Sequence, residues 1–552
     1  VKISNVDIAE FPTAAGNLKN TLSASEVTTY TWDGSESSDW ATLENWTPVG
    51  SPSDFSNVII PNESNDPEIG FTGTASCNDL TLAESATLTL KSDATGTGSL
   101  IVEGTATGDV TVERFLTHDK WHYISGQTNF GLDNFDDLNM GLTGTVDHDQ
   151  FYRWEESMET SGTPGTWVDI LNGNGSGTLM DDEGFVGCKG YAINYITTDK
   201  TLILSGVPYS TNQSIAITKT TNSTNEGANL IGNPFTSTIA LNDGADSDNN
   251  FIDDNSSLFD AILGGVYLWD EQPSYIGNRD DYNTVSNASG AEFAAPGQGF
   301  MIVKKDVGTS TVNFNANIRK HGTAPFFKNS NDDDTPRFKL FVKDAENRAN
   351  TTTIAFLPNM TLGLDPSYDA GKLKGNPNIA LYTRLVEDIG VDFAIQALPD
   401  NDIESIVIPV GIDVAESTLC EFSINSETME GYPIYLQDAQ ENSVTNLKDH
   451  TYTTLVSESG TGRFFLHFKE VIGIDEHGKN NLQVWSSNSV IHIYNDENQL
   501  GDIMVVNMYG QSVHKSALNK NTNQQINLNV PAGYYIVSIV TKDGVLNKKV
   551  YL

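Results

Sequence analysis

Cysteine is nearly absent: Cys77, Cys188 and Cys420 are the only three in 552 residues. They are too few for a disulfide framework and too far apart for a CxxC metal site, so buried free thiols are expected. Basic residues are scarce too, with 31 Lys and Arg against 73 Asp and Glu, a formal net charge of −42. That excess repels phosphate backbones and anionic lipid headgroups, which argues against nucleic acid and suits a solvated extracellular surface. No apolar run approaches the roughly 18 residues a spanning helix needs. The chain opens on Val1 without a basic and apolar leader, so any export signal is expected to have been removed or to lie outside this sequence.

Catalytic signatures are missing as well. There is no HExxH, GxSxG, P-loop or strand-to-helix GxGxxG, and the nine histidines are scattered. "HDKWH" at 118–122 sets His118 and His122 four apart, a spacing that shares a face on a helix, but the surroundings read as strand and turn. Choosing an acid and base pair among 73 carboxylates would be arbitrary, because their separation in space decides the chemistry. The chain is therefore expected not to be an enzyme. What it does contain is enough apolar residue, 38%, to build packed interiors, and a length that implies several domains.

Helical periodicity is almost absent, and short strands bounded by turn residues dominate. After an extended segment at 1–28, "NVIIP", "NDLTL", "ATLTLKS", "GSLIVEG" and "DVTVERF" follow one another inside a module at 29–117. So little sequence separates them that a few solenoid-like coils, or a sandwich, are expected. Residues 118–327 look duplicated. "WHYISGQTNF" at 121–130 matches "ANLIGNPFTS" at 228–237, "FYRWEES" from Phe151 matches "VYLWDEQ" from Val266, and "GFVGCKGYAI" from Gly184 matches "PGQGFMIV" from Pro296. Beyond the acidic hinge with Asp332, Asp333 and Asp334, seven strand-like segments at 328–472 predict an antiparallel β-sandwich. "DAGKL" at 369–373, with "FAIQAL" and "IYLQD", resembles a sandwich module found upstream of the tail in exported proteins of the Bacteroidota.

From about residue 481 the alternation continues through "LQVWSSNSVIHIY", "GDIMVVNMYGQSV" and "AGYYIVSIV", enough for a small immunoglobulin-like sandwich at 473–552. This segment resembles the type A C-terminal sorting domain of the type IX secretion system. Met508, Tyr509, Gly510 and Val513 stand at its hydrophobic-x-Gly-x-x-Val turn, Pro531, Ala532, Gly533 and Tyr534 at its "paG-Y" turn, and Gly544, Lys548, Lys549 and Val550 at its closing strand. The resemblance implies an address. Such cargo crosses the outer membrane through a large translocon, bound through its tail by an outer-membrane shuttle barrel, and a sortase-like protease then commonly removes the tail. Lys542, Lys548 and Lys549 would either oppose acidic receptor loops or blunt an exposed edge strand.

Two stretches are candidate binding sites. "DGADSDNNFIDDN" offers Asp243, Asp246, Asp248, Asn250, Asp253 and Asp254 as hard oxygen ligands for Ca²⁺, although Phe251 stands where a calcium loop needs glycine and Ser257 where it needs glutamate. Trp32, Trp40 and Trp46 would stack on sugars if exposed, but burial under the first sheet is the expectation, as it is for Tyr152, Trp154, Tyr267 and Trp269. The resulting reading is an exported, multidomain all-β protein, displayed on or released from the cell surface as a non-catalytic adhesin or surface component. A polysaccharide-binding or degrading accessory protein and a structural subunit of a surface assembly are the alternatives.

Overall fold

The computed structural model describes residues 27–126, 149–156, 165–170, 186–270, 281–322, 335–469 and 482–552, together with the strand pair Pro273–Ser274 and Gly277–Asn278. Single residues and short stretches inside these ranges, 508–510 among them, are not described. The molecule is all-β, with about 52% strand and 4% helix. Most of the extended segment at 1–28 and the hinge aspartates Asp332 to Asp334 lie outside the described residues.

The first module is a short solenoid of parallel coils. Thr29–Trp32, Asn57–Ile60, Leu80–Leu82 and Ala106–Thr107 stack in register on one face, and Glu68–Ile69, Thr89–Leu90 and Val110–Leu116 on a second. Thr74–Cys77 and Ser99–Val102 form a third. Alternate residues point inward, so Val58, Ile60, Leu80, Leu82, Leu90 and Val112 share one interior. Polar side chains tie successive coils at a corner: Asn78 Nδ2 donates to Asn57 Oδ1 at 2.9 Å, and Asp79 Oδ1 accepts the Thr105 N–H at 2.7 Å. Trp46 lies edge-on to Trp32 and Trp40, with ring centroids 5.0 and 4.7 Å apart, and all three are buried where the stack begins.

Two units of the same topology follow. Each opens and closes on seven-residue strands paired with each other, Val110–Leu116 with Lys200–Gly206 and Gln213–Lys219 with Gly308–Phe314. Between them the first unit orders its sheet His122–Ile124, Tyr191–Asn194, Gln150–Glu155, Thr166–Asp169, and the second Ala228–Gly232, Gly299–Val303, Val266–Asp270, Asp281–Val285. The matched motifs occupy equivalent strands. The opening strand of the first unit lies ahead of residue 118 because it also completes a solenoid face, and so shares the alternation of the coils before it.

The units exchange backbone hydrogen bonds reciprocally. Ser125 N–H donates to Gly297 O at 3.0 Å, and Gly232 N–H to Cys188 O at 2.9 Å. Both acceptors are left-handed, at φ +72° and +68°, and each sits at the third position of a four-residue turn closed by Gln298 N–H to Ala295 O or by Lys189 N–H to Val186 O. Glycine takes that conformation freely, whereas Cys188 must bear its cost of about 1–2 kcal/mol.

The third module is an eleven-stranded sheet closing around Phe338, Ile354, Leu381, Val410, Phe422 and Phe464. It is not wholly antiparallel, since Ala349–Leu357 runs parallel to Phe393–Pro399. The tail packs a three-stranded and a four-stranded antiparallel sheet around Ile491, Val505, Val537 and Ile539. All three cysteines are buried free thiols, and burial raises each to about 12.

Candidate functional site

In the tail, Tyr534–Thr541 and Gly544–Tyr551 form a two-residue hairpin in full register. Its open end is fastened by a reciprocal pair, Gly533 N–H to Leu552 O at 2.8 Å and Leu552 N–H to Gly533 O at 3.0 Å, while Tyr535 Oη donates to Pro531 O at 2.8 Å. The "paG-Y" turn and the last residue are thus one structural feature. Val550 and Leu552 are buried, and Val513 packs against the same core. Lys548 pairs with Val537 on the core-facing side of the outermost strand yet is exposed. Lys549 points outward, its Nζ 4.1 Å from the centre of the Tyr534 ring. Met508, Tyr509 and Gly510 lie outside the described residues.

The acidic stretch folds into a loop ending in a short helix, Phe251–Asn255, capped by Asn250. Asn250 Nδ2 donates to Asp243 Oδ1 at 3.1 Å and to Asp253 Oδ2 at 3.0 Å, placing an amide between the two carboxylates. Asp253 Oδ1 accepts from Asn287 at 2.8 Å, and Asp243 Oδ2 from the Tyr368 hydroxyl at 3.3 Å. Burial and the neighbouring Asp253 charge raise Asp243 to about 6, and the same causes raise Asp254. Asp246 pairs with Lys320, and Asp248 is exposed. Among the described residues no group of three or more His, Cys, Asp or Glu side chains is arranged to hold a metal ion.

The histidines of "HDKWH" part company. His118 Nδ1 pairs with Asp199 at 2.6 Å on the surface, whereas His122 is buried against Thr117 O and pushed down to about 4 by burial. Tyr267 is fully buried, and Tyr152, Trp154 and Trp269 are half-buried in an aromatic layer shared by the two duplicated units. Trp167 stands at the layer's exposed end, 38% open, with ring centroids 5.1 Å from Trp154 and 5.8 Å from Tyr123.

Three junctions escaped sequence reasoning because their partners are distant in the chain. At the first, His321 bridges Ser76 Oγ at 2.8 Å and Ser99 Oγ at 3.0 Å, and Arg319 donates to Val102 O at 2.6 Å, fastening the second duplicated unit to the solenoid. At the second, the "DAGKL" segment inserts between that unit and the sandwich. Lys372 Nζ pairs with Asp281 at 2.9 Å, with the two side chains 1% and 0% exposed, and Asp281 also accepts from Asn350 and the Gly375 N–H. Asp369 accepts the Asp365 and Ala397 N–H groups at 2.6 and 2.7 Å, yet burial raises it to about 7. At the third, Trp485 of the tail stacks on His492, its plane within 4° of the imidazole, and rests over Gly462, where a Cβ would overlap the indole. Tyr494 Oη donates to Asn442 Oδ1 at 3.0 Å beside it. Of these residues the sequence singled out only "DAGKL", and that by resemblance to a sandwich module, not as a junction.

Comparison with known families divides the chain at the third junction. A family model described as Domain of unknown function (DUF8693) matches residues 31–117 and 139–468. A second, described as Secretion system C-terminal sorting domain, matches residues 487–552. No curated protein matches the chain. No helix among the described residues is long and apolar enough to cross a membrane.

Proposed function

The chain belongs to the family of the domain of unknown function DUF8693 and ends in a type IX sorting domain, which makes it cargo exported across the outer membrane to the cell surface or beyond; from that premise we propose that its body is a non-catalytic adhesin or surface component. What supports the reading is the use to which polar groups in the body are put. His321, Lys372, Asp281 and Asp369 each join one module to another or one strand to the next, leaving a stiff, acidic, solvated body. Cells lacking the chain should adhere less to a surface or glycan that wild-type cells bind, and adherence should return with the full chain. Release of reducing ends from a polysaccharide by the purified protein would contradict the non-catalytic part.

Trp167 favours polysaccharide binding as a second reading, because an exposed indole backed by two aromatic rings is pre-set to stack on a sugar. Trp167→Ala would then abolish retention on the glycan while leaving the melting temperature unchanged. The cross-strand pair Leu419 and Leu455, 53% and 54% exposed, with Leu455 in the sheet's outermost strand, favours the surface-assembly reading. Leu455→Lys would then dissolve the assembly.

A further inference from the structure

The sorting domain has two outer sheet faces, and among the described residues only one is covered. The face of the three-stranded sheet carries Trp485, His492 and Tyr494 and lies on the sandwich through Gly462, Phe465 and Asn442. The opposite face, on the four-stranded sheet, presents Met504, Ile536 and Val540, exposed by 37%, 37% and 47%. The register sets Ser538 directly across from Met504, with Ile536 and Val540 on either side of it along the strand. A small residue ringed by three larger apolar ones makes a shallow dimple, the shape that receives an anchoring side chain. Lys515 lies opposite Met504 and Lys549 opposite Ile536, with the Lys549 ammonium over the Tyr534 ring, while the one acidic residue in register with this patch is Asp502, opposite Val540 at its far end.

The charge of the segment distinguishes it from the rest of the chain. Residues 482–552 hold five lysines and four acidic side chains, whereas the remaining residues hold 26 basic and 69 acidic ones. A partner edged with carboxylates would be repelled by the body and accepted here.

We propose that this face, centred on Ser538, is the surface by which the outer-membrane receptor of the export machinery grips the cargo. The receptor would supply an apolar side chain for the dimple and carboxylates for Lys515 and Lys549. The proposal rests on the sorting reading and adds to it a face and a chemistry.

The test uses the full chain in type IX-competent cells, scoring surface exposure together with the melting temperature of each purified variant. Ser538→Arg, which fills the dimple, and Ile536→Glu should each lower surface exposure by roughly tenfold or more, the effect of losing one interface anchor. Lys515→Glu with Lys549→Glu, both exposed and tolerant of change, should lower it with no loss of melting temperature. Normal export of all these folded variants would overturn the proposal. So would a dimer in sedimentation that Ile536→Glu dissociates without loss of export, since the face would then be a contact between copies. A chain lacking 482–552 run alongside separates the two claims. Its retention beside exported face variants defeats the face alone, and its export defeats the sorting reading.

Discussion

The sandwich meets its neighbours in two unlike ways. Towards the duplicated unit it buries an ion pair, Lys372 with Asp281, inside a set of hydrogen bonds in which Tyr267 Oη donates to Gly371 O and Gly371 N–H to Ile262 O. Towards the tail it offers a bare glycine to one indole, and one hydroxyl bonds beside it. A buried charge pair fixes geometry strictly, because either charge left alone inside is costly, while an aromatic seat separates at the cost of its own area. The body is thus built as one unit, and the address is joined to it lightly, with one face left uncovered by the described residues.

Removing one charge from the first junction should have the largest effect. Lys372→Met leaves the Asp281 charge buried without its ammonium and should destabilise the body by about 3–5 kcal/mol in urea denaturation. Lys372→Met with Asp281→Leu should recover part of that loss, and full additivity of the two would refute the coupling.

A pH series sharpens the contrast from the same segment. Asp369 lies at about 7 in the folded chain, above its ordinary value, so the folded state holds a proton that the unfolded state has released. Stability from this group is therefore present below about pH 4 and is lost as pH rises towards 7, by about 2–4 kcal/mol. Asp243, raised to about 6, acts in the same direction. Asp369→Asn should flatten the slope of denaturation free energy against pH, and an unchanged slope would remove Asp369 as its source.

The second junction should yield to a milder change. Trp485→Ala should weaken it by about 1–3 kcal/mol, increasing hydrogen exchange in the tail strands while the body melts as before. Gly462→Val should loosen the tail in the same way by occupying that seat and, because Gly462 lies at φ +95°, should lower the melting temperature of the body as well. Least affected of all should be the acidic loop: with the Asn250 amide between Asp243 and Asp253, millimolar Ca²⁺ is expected to leave the melting temperature unchanged. A rise with Ca²⁺ and not with Mg²⁺ would show the amide swinging aside for a cation.

The all-β class and the coils were legible in the sequence because each rests on local signals, period-two alternation and turn residues at short spacing, whereas the tail was legible as an address only through its resemblance to the sorting-domain family. The matched motifs likewise led to equivalent strands. The reciprocal bonds of Cys188 and Gly297 were not legible, since a backbone acceptor leaves no mark on side-chain identity. Nor was the role of Asp281, whose partner Lys372 is 91 positions away. In the loop at 243–254 the ligand-like spacing was legible, but not that Phe251 starts a short helix with its own side chain buried, nor that Asn250 is its cap.

The central claim is that the address lies in the tail and is separable from the body. Its most direct test is to fuse residues 473–552 to a periplasmic fluorescent reporter and measure surface exposure in type IX-competent cells and in cells lacking the translocon. Reporter at the surface of the first and inside the second is the predicted result. Reporter retained inside both would contradict it.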